Sequence, residues 1–187
     1  MKSEFLRHHG ESYKVLESFV PRYHVDWMRN ELVEAIGVRP YETGDDIYVN
    51  AIGIHQFVPG AMLLCTKLQE IMELMGQACL PSYAYARKYG PEAELKPHTD
   101  RKSCEISVTL HLGSDQAWPF FIESARGEAH EIDLSPGDAI LFDGVNFKHG
   151  RKNPYSGNSY EQLFLHYVYA YGPHAHHMFE SKSRAKH

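Results

Sequence analysis

His98-Thr99-Asp100, answered about fifty residues later by His149, constrains this chain more than any other feature of it. On an extended strand, residues i and i+2 point to the same side. His98 and Asp100 can therefore grip one ion together. Two imidazoles and one carboxylate form the facial ligand set that holds ferrous iron and leaves the opposite positions open, although the same donors also suit Zn, Ni or Co. The fold must bring residues 98 and 149 within reach of a single ion. A carboxylate at position 100 also counts against halogenation, which needs that position vacant for halide.

His-x-Asp alone is a weak signal in a chain with 13 histidines. Its surroundings strengthen it. Pro97 precedes the pair, and residues 104–112 alternate strictly. Ile106, Val108, Leu110 and Leu112 make one face; Glu105, Ser107, Thr109 and His111 make the other. Such alternation separates an apolar layer from a polar one. Leu134-Ser135-Pro136-Gly137-Asp138 then reads as a turn feeding a strand over 139–142, and His149 follows.

Further strands are predicted over 83–89, with Gly90-Pro91 as a turn, over 118–122 and over 162–169. Cys104 is expected as a small strand residue. Short strands at this spacing predict a sandwich or jelly roll. The first eighty residues read as a mainly helical support. Val25, Met28, Leu32 and Ile36 recur at helical spacing, Asp26 suits the start of that helix, and Gly37 and Pro40 mark its end. A second helix is expected over 61–78, with Leu64, Leu68, Ile71, Met72 and Met75 on one side. Residues 45–57 alternate loosely, as a strand would. The tail from Gly172, with His174, His176 and His177, reads as exposed.

A length of 187 residues with 43% hydrophobic and 23% charged residues fits one domain with a proper core, here 1–187. A net charge of -5 and the lack of a long basic run give no electrostatic case for a nucleic-acid partner. The N-terminal residues lack the apolar stretch of a signal peptide, and no run of about eighteen apolar residues predicts a membrane span. Three sparse cysteines, Cys65, Cys79 and Cys104, fit reduced thiols and a cytoplasmic location.

Over residues 81–172, the order Pro97, His98-x-Asp100, alternating strand, Ser135-Pro136-Gly137-Asp138, His149 resembles the iron(II)- and 2-oxoglutarate-dependent dioxygenases, in particular their prolyl-hydroxylase-like branch. The resemblance implies a mainly β fold with N-terminal helices, its core a double-stranded β-helix (a jelly roll, cupin-like) over 81–172. It implies Fe(II) on His98, Asp100 and His149, 2-oxoglutarate as co-substrate, and O2. The implied activity is hydroxylation of an amino-acid or peptidyl, prolyl-type substrate, whether a small molecule or a peptide.

One departure stands out. Many members carry Arg or Lys nine or ten residues after the second His, to hold the distal carboxylate of 2-oxoglutarate. Here that region reads Asn158, Ser159 and Tyr160. Arg151, two residues after His149, is the substitute, because its fork binds a carboxylate bidentately. Tyr89, nine residues before His98, together with Ser107, Thr109 and His111, are further expected co-substrate contacts. Arg87 and Arg101 are expected to meet a substrate carboxylate or backbone. His55 and His166 are read as structural. The missing late cation leaves open a cupin-like metal oxygenase that does not use 2-oxoglutarate; a non-catalytic β-helix binding module is the remaining alternative.

Overall fold

The computed structural model describes residues 13–38, 40–124 and 126–180. Among them, strands β1 (Tyr13–Leu16), β2 (Glu42–Thr43), β3 (Tyr48–His55), β4 (Cys79–Leu95), β5 (Ile106–Ser114), β8 (Ala139–Phe142) and β10 (Tyr160–Tyr169) form one sheet in the order β1-β8-β5-β10-β4-β3-β2. A smaller sheet has the order β7-β6-β9, from β6 (Phe120–Glu123), β7 (Ala129–Ile132) and β9 (His149–Gly150). The pairings are antiparallel throughout. This is the expected jelly roll.

Helices α1 (Arg22–Val38), α2 (Val58–Thr66) and α3 (Leu68–Met75) cover one face of the large sheet. Val25, Met28, Leu32, Leu64, Ile71 and Met75 join Ile106, Val108, Leu110 and Leu112 of β5 in one core. The alternation of β5 thus decides its layers. Its apolar side faces the helices, and its polar side turns toward the small sheet. Between the sheets lie two further clusters, one around Tyr89, Trp118, Tyr155 and Tyr160, the other of Phe120, Ile122, Ile140 and Phe142.

The described residues before 80 are mainly helical, and they also supply strands β1, β2 and β3 of the large sheet, β3 within the alternating stretch 45–57. Three expectations need correction. The second helix is two, joined at Lys67 and stopped by Gly76, whose φ of 63° favours glycine. The hydrophobic phase continues across that break, so periodicity could not reveal it. Gly90-Pro91 is not a turn: β4 runs through it, with a register shift opposite Asn50, and Asn50 Nδ2 donates to the Pro91 carbonyl at 2.6 Å. Cys104 lies in a 3-10 turn, Lys102–Cys104, rather than in the strand. The tail from Gly172 as far as Glu180 has no buried residue, and its end is tied to the sheet where Phe179 and Glu180 donate their amides to the carbonyls of Pro81 and Ser82.

Candidate active site

The site is built on main-chain pairing. His98 and His149 form an isolated antiparallel bridge, and Arg151 N donates to the Leu95 carbonyl at 2.7 Å just beyond it. Gly150 makes this closeness workable: a Cβ there would meet the Leu95 and Lys96 carbonyl oxygens at 2.7 and 2.9 Å. Asp100 is fixed separately, its amide donating to the Gly144 carbonyl at 2.8 Å.

The three side chains converge as the sequence requires. His98 Nε2 and His149 Nε2 lie 3.6 and 3.5 Å from Asp100 Oδ1. Metal–ligand bonds of roughly 2.0–2.2 Å place neighbouring ligands about 3 Å apart, so a small inward movement closes the set on an ion. Both rings are held in the right tautomer. His98 Nδ1 meets the Lys96 carbonyl at 2.8 Å, and His149 Nδ1 meets the Phe147 carbonyl at 2.9 Å. A carbonyl accepts only, so each Nδ1 carries the proton and each Nε2 offers its lone pair.

Burial pushes the Asp100 carboxyl up. Its close contacts with the His149 and His98 imidazoles, and the electrostatic influence of His149 and His166, outweigh it and hold the group well below the usual carboxylate range. Asp100 therefore stays an anion. Ser107 donates to Asp100 Oδ2 at 2.9 Å and lies 3.1 Å from His166 Nδ1. Its hydroxyl thus braces the carboxylate and is not free for a co-substrate. His166, read as structural, lies with Asp100 and Cys104 in a second potential ligand group that shares Asp100. Burial lowers its pKa to about 4, which keeps the ring neutral. Phe142 and Phe120 pack against the His149 ring at 4.6 and 5.9 Å.

A cavity of about 330 Å³ opens onto these ligands. Its lining includes Thr109, Phe120, Phe142 and Leu95, together with His55, Tyr83, Tyr85, Phe164, Arg87 and Arg101. Sequence reasoning missed Tyr48, whose hydroxyl reaches His98 Nε2 at 3.1 Å.

Arg151 is 3% exposed and does not line this cavity. It is enclosed beside it, among the rings of Trp118, Phe120 and Tyr160. Its Nη2 donates to Tyr160 Oη at 3.0 Å and its Nη1 to the Trp118 carbonyl, while Nε has no acceptor among the described residues. Tyr89 Oη, His111 Nε2 and both amide atoms of Gln162 are likewise buried without partners among the described residues. These groups are neighbours. Tyr160 stacks on His111 at 4.5 Å and lies 6.4 Å from Tyr89, and Gln162 sits between His111 and Arg87 in the ladder. His111 Nδ1 is occupied by the Leu134 carbonyl at 2.7 Å. Buried polar groups are almost always paired, so this cluster of orphans stands out. Asn158 is spent elsewhere: it donates to Asp115, which also accepts from Tyr155.

Neither a protein-family model nor a curated protein sequence matches the chain. Solved structures do. A prolyl-4-hydroxylase from Pseudomonas putida superposes with a TM-score of 0.71 at 14% identity, covering 89% of this chain and 96% of its own. HygX from Streptomyces hygroscopicus, with nickel, 2-oxoglutarate and hygromycin B bound, gives 0.70 at 13% identity over 91% and 88%. A prolyl hydroxylase from Trichoplax adhaerens, in complex with a hypoxia inducible factor peptide fragment, gives 0.67 at 11% identity over 89% and 87%. At such identities the likeness is one of fold, and the chain has the double-stranded β-helix fold of the 2-oxoglutarate and iron(II) oxygenases.

Proposed function

We propose that this protein is an Fe(II)- and 2-oxoglutarate-dependent dioxygenase that hydroxylates an amino-acid or peptidyl substrate. The observation that carries the reading is the pairing of two adjacent features, one lining the cavity and one enclosed beside it. One is a ligand set with both imidazole tautomers fixed for metal. The other is a buried cation, Arg151, surrounded by orphaned polar atoms at the distance of a neighbouring side chain. The second feature fits 2-oxoglutarate and favours it over a cupin-like oxygenase without that co-substrate.

His98, Asp100 and His149 would hold the iron, and Arg151 would take the distal carboxylate of 2-oxoglutarate. Tyr89 and Gln162 would complete its hydrogen bonds. Iron and 2-oxoglutarate together supply oxidation of an unactivated C–H bond by O2, with succinate and CO2 as co-products. The chain's own residues do the rest. Asp100 contributes a fixed negative charge, and Ser107 sets its orientation. Phe120 and Phe142 close the His149 side of the site against water. Burial pushes the Tyr89 phenol up to about 12, so it acts as a neutral donor. Thr109 lines the cavity on the polar face of β5, within the space the co-substrate would share.

The direct test is iron-dependent conversion of 2-oxoglutarate to succinate by the purified protein, which also proceeds slowly without substrate in such a mechanism. Turnover that needs Fe(II) and is lost in His149→Ala supports the reading. Metal binding with no affinity for 2-oxoglutarate would return the cupin-like alternative.

A further inference from the structure

We propose that the substrate is a small free carboxylic acid and that Arg87 holds its carboxylate; this rests on the dioxygenase reading above. Two guanidinium groups line the cavity. Arg101 is already engaged: its Nη2 lies 2.8 Å from Glu180 Oε2, and its guanidinium stacks 4.8 Å from the Tyr83 ring. Arg87 differs. It is 9% exposed, forms no ion pair among the described residues, and has a buried Nη1 with no acceptor. Asp45 hydrogen-bonds the amides of Ile47 and Tyr48, and Glu42, across Gly53 from Arg87 in the ladder, accepts from the Tyr85 hydroxyl at 2.9 Å.

The position of Arg87 gives the charge its meaning. Its guanidinium lies 3.5 Å from the centre of the Tyr48 ring and 4.9 Å from that of Tyr85. The hydroxyl of Tyr48 is the one that reaches His98 Nε2. One phenol ring therefore separates the unpaired cation from the metal position. A desolvated guanidinium selects an anion. A prolyl or other uncharged residue inside a peptide brings no charge so close to its reacting carbon, whereas a free acid carries its carboxylate only a few bonds away. Tyr83, Tyr85, Phe164 and His55 offer an aromatic wall to the apolar body of such a molecule.

The test uses the full chain loaded with Ni(II) and 2-oxoglutarate, titrated calorimetrically with the proteinogenic L-amino acids, their C-terminal amides, a set of simple monocarboxylic acids and a proline-containing peptide. Succinate release with Fe(II) and O2 is measured in parallel. At least one free acid should bind about 30-fold more tightly than its amide, the loss expected when one partner of a buried charge pair is removed. Arg87→Met should erase that difference and leave 2-oxoglutarate affinity unchanged. Arg87→Lys, which keeps the charge, should restore part of the binding and serves if the Met variant does not fold. Equal binding of acids and amides, tightest binding by the peptide, or no binding by any acid overturns the proposal. So does a loss of 2-oxoglutarate affinity in Arg87→Met, which would place Arg87 in the co-substrate site. Arg87-dependent acid binding without succinate release would uphold the carboxylate site and overturn the dioxygenase reading.

Discussion

His98 and His149 exchange both of their backbone hydrogen bonds, His98 N to the His149 carbonyl at 2.8 Å and the reverse at 2.9 Å. The two imidazoles therefore stand side by side because of the main chain, not because an ion draws them together. Side-chain removal leaves that bridge in place. His98→Ala, Asp100→Ala and His149→Ala should each lose bound iron by at least about tenfold, the lower end of what even supporting residues cost a metal site. Each should keep the wild-type circular dichroism spectrum. Metal content after desalting, read beside that spectrum, checks both halves.

The same bridge makes a demand on Gly150. A methyl group there would press on the Leu95 and Lys96 carbonyls, which are backbone and cannot swing aside. β9 must then move away from the end of β4 and take His149 with it. Gly150→Ala is expected to destabilise the fold by about 1–3 kcal/mol, the range of an ordinary damaging substitution. It should also weaken metal binding, although no ligand is changed. A denaturant melt and a metal titration on the same sample separate the two effects.

What could be read in the sequence follows from how local the controlling physics is. The pair His98 and Asp100 was legible because ligand chemistry and strand geometry both fix the i, i+2 spacing. The layers of β5 were legible because one face meets helices and the other a polar cleft. Tyr48 and Gln162 were not legible. Their places come from the register of β3 on β4 and of β10 on its two neighbours, which no local pattern encodes. Gly90-Pro91 misled for the converse reason: the dipeptide favours a turn, yet the sheet absorbs it as an irregularity opposite Asn50. Arg151 is a candidate from its chemistry and its closeness to His149, but its enclosure among Trp118, Phe120 and Tyr160 needed the fold.

Acid should unfold this protein earlier than its carboxylates alone would. Burial lowers the pKa of His111 and of His166 to about 4, from 6.5. The unfolded chain therefore binds protons below about pH 6.5 that the folded chain refuses until about pH 4. Stability is complete above that window and falls as the pH drops through it. Between pH 7 and 5 each ring removes about 2 kcal/mol. Thermal melts of the metal-free protein at the two pH values measure the loss. His111→Phe, which keeps the stack on Tyr160, should reduce the pH dependence by roughly the share of one ring, whatever it does to stability at pH 7. An unchanged slope would show that His111 is already protonated or exposed in solution.

Arg151 offers the sharpest test of the co-substrate site. It is a buried cation whose described partners are a phenol and a carbonyl, both neutral, with one nitrogen left over. In the absence of a carboxylate such a group is costly to bury; with one, it becomes half of a desolvated ion pair. Arg151→Ala removes that half. Losing one partner of such a pair costs about 2–5 kcal/mol, or roughly 30-fold to several thousand-fold in affinity. Arg151→Lys should recover only part, because an ammonium cannot reproduce the fork that meets Tyr160 and Trp118 as well as a ligand. Iron binding should persist in both variants, since Arg151 touches no ligand side chain in the described contacts. Titration of 2-oxoglutarate into the iron-loaded proteins without oxygen gives the three dissociation constants. An unchanged value for Arg151→Ala would move the carboxylate anchor to Arg87 or to the neutral donors of Tyr89 and Gln162.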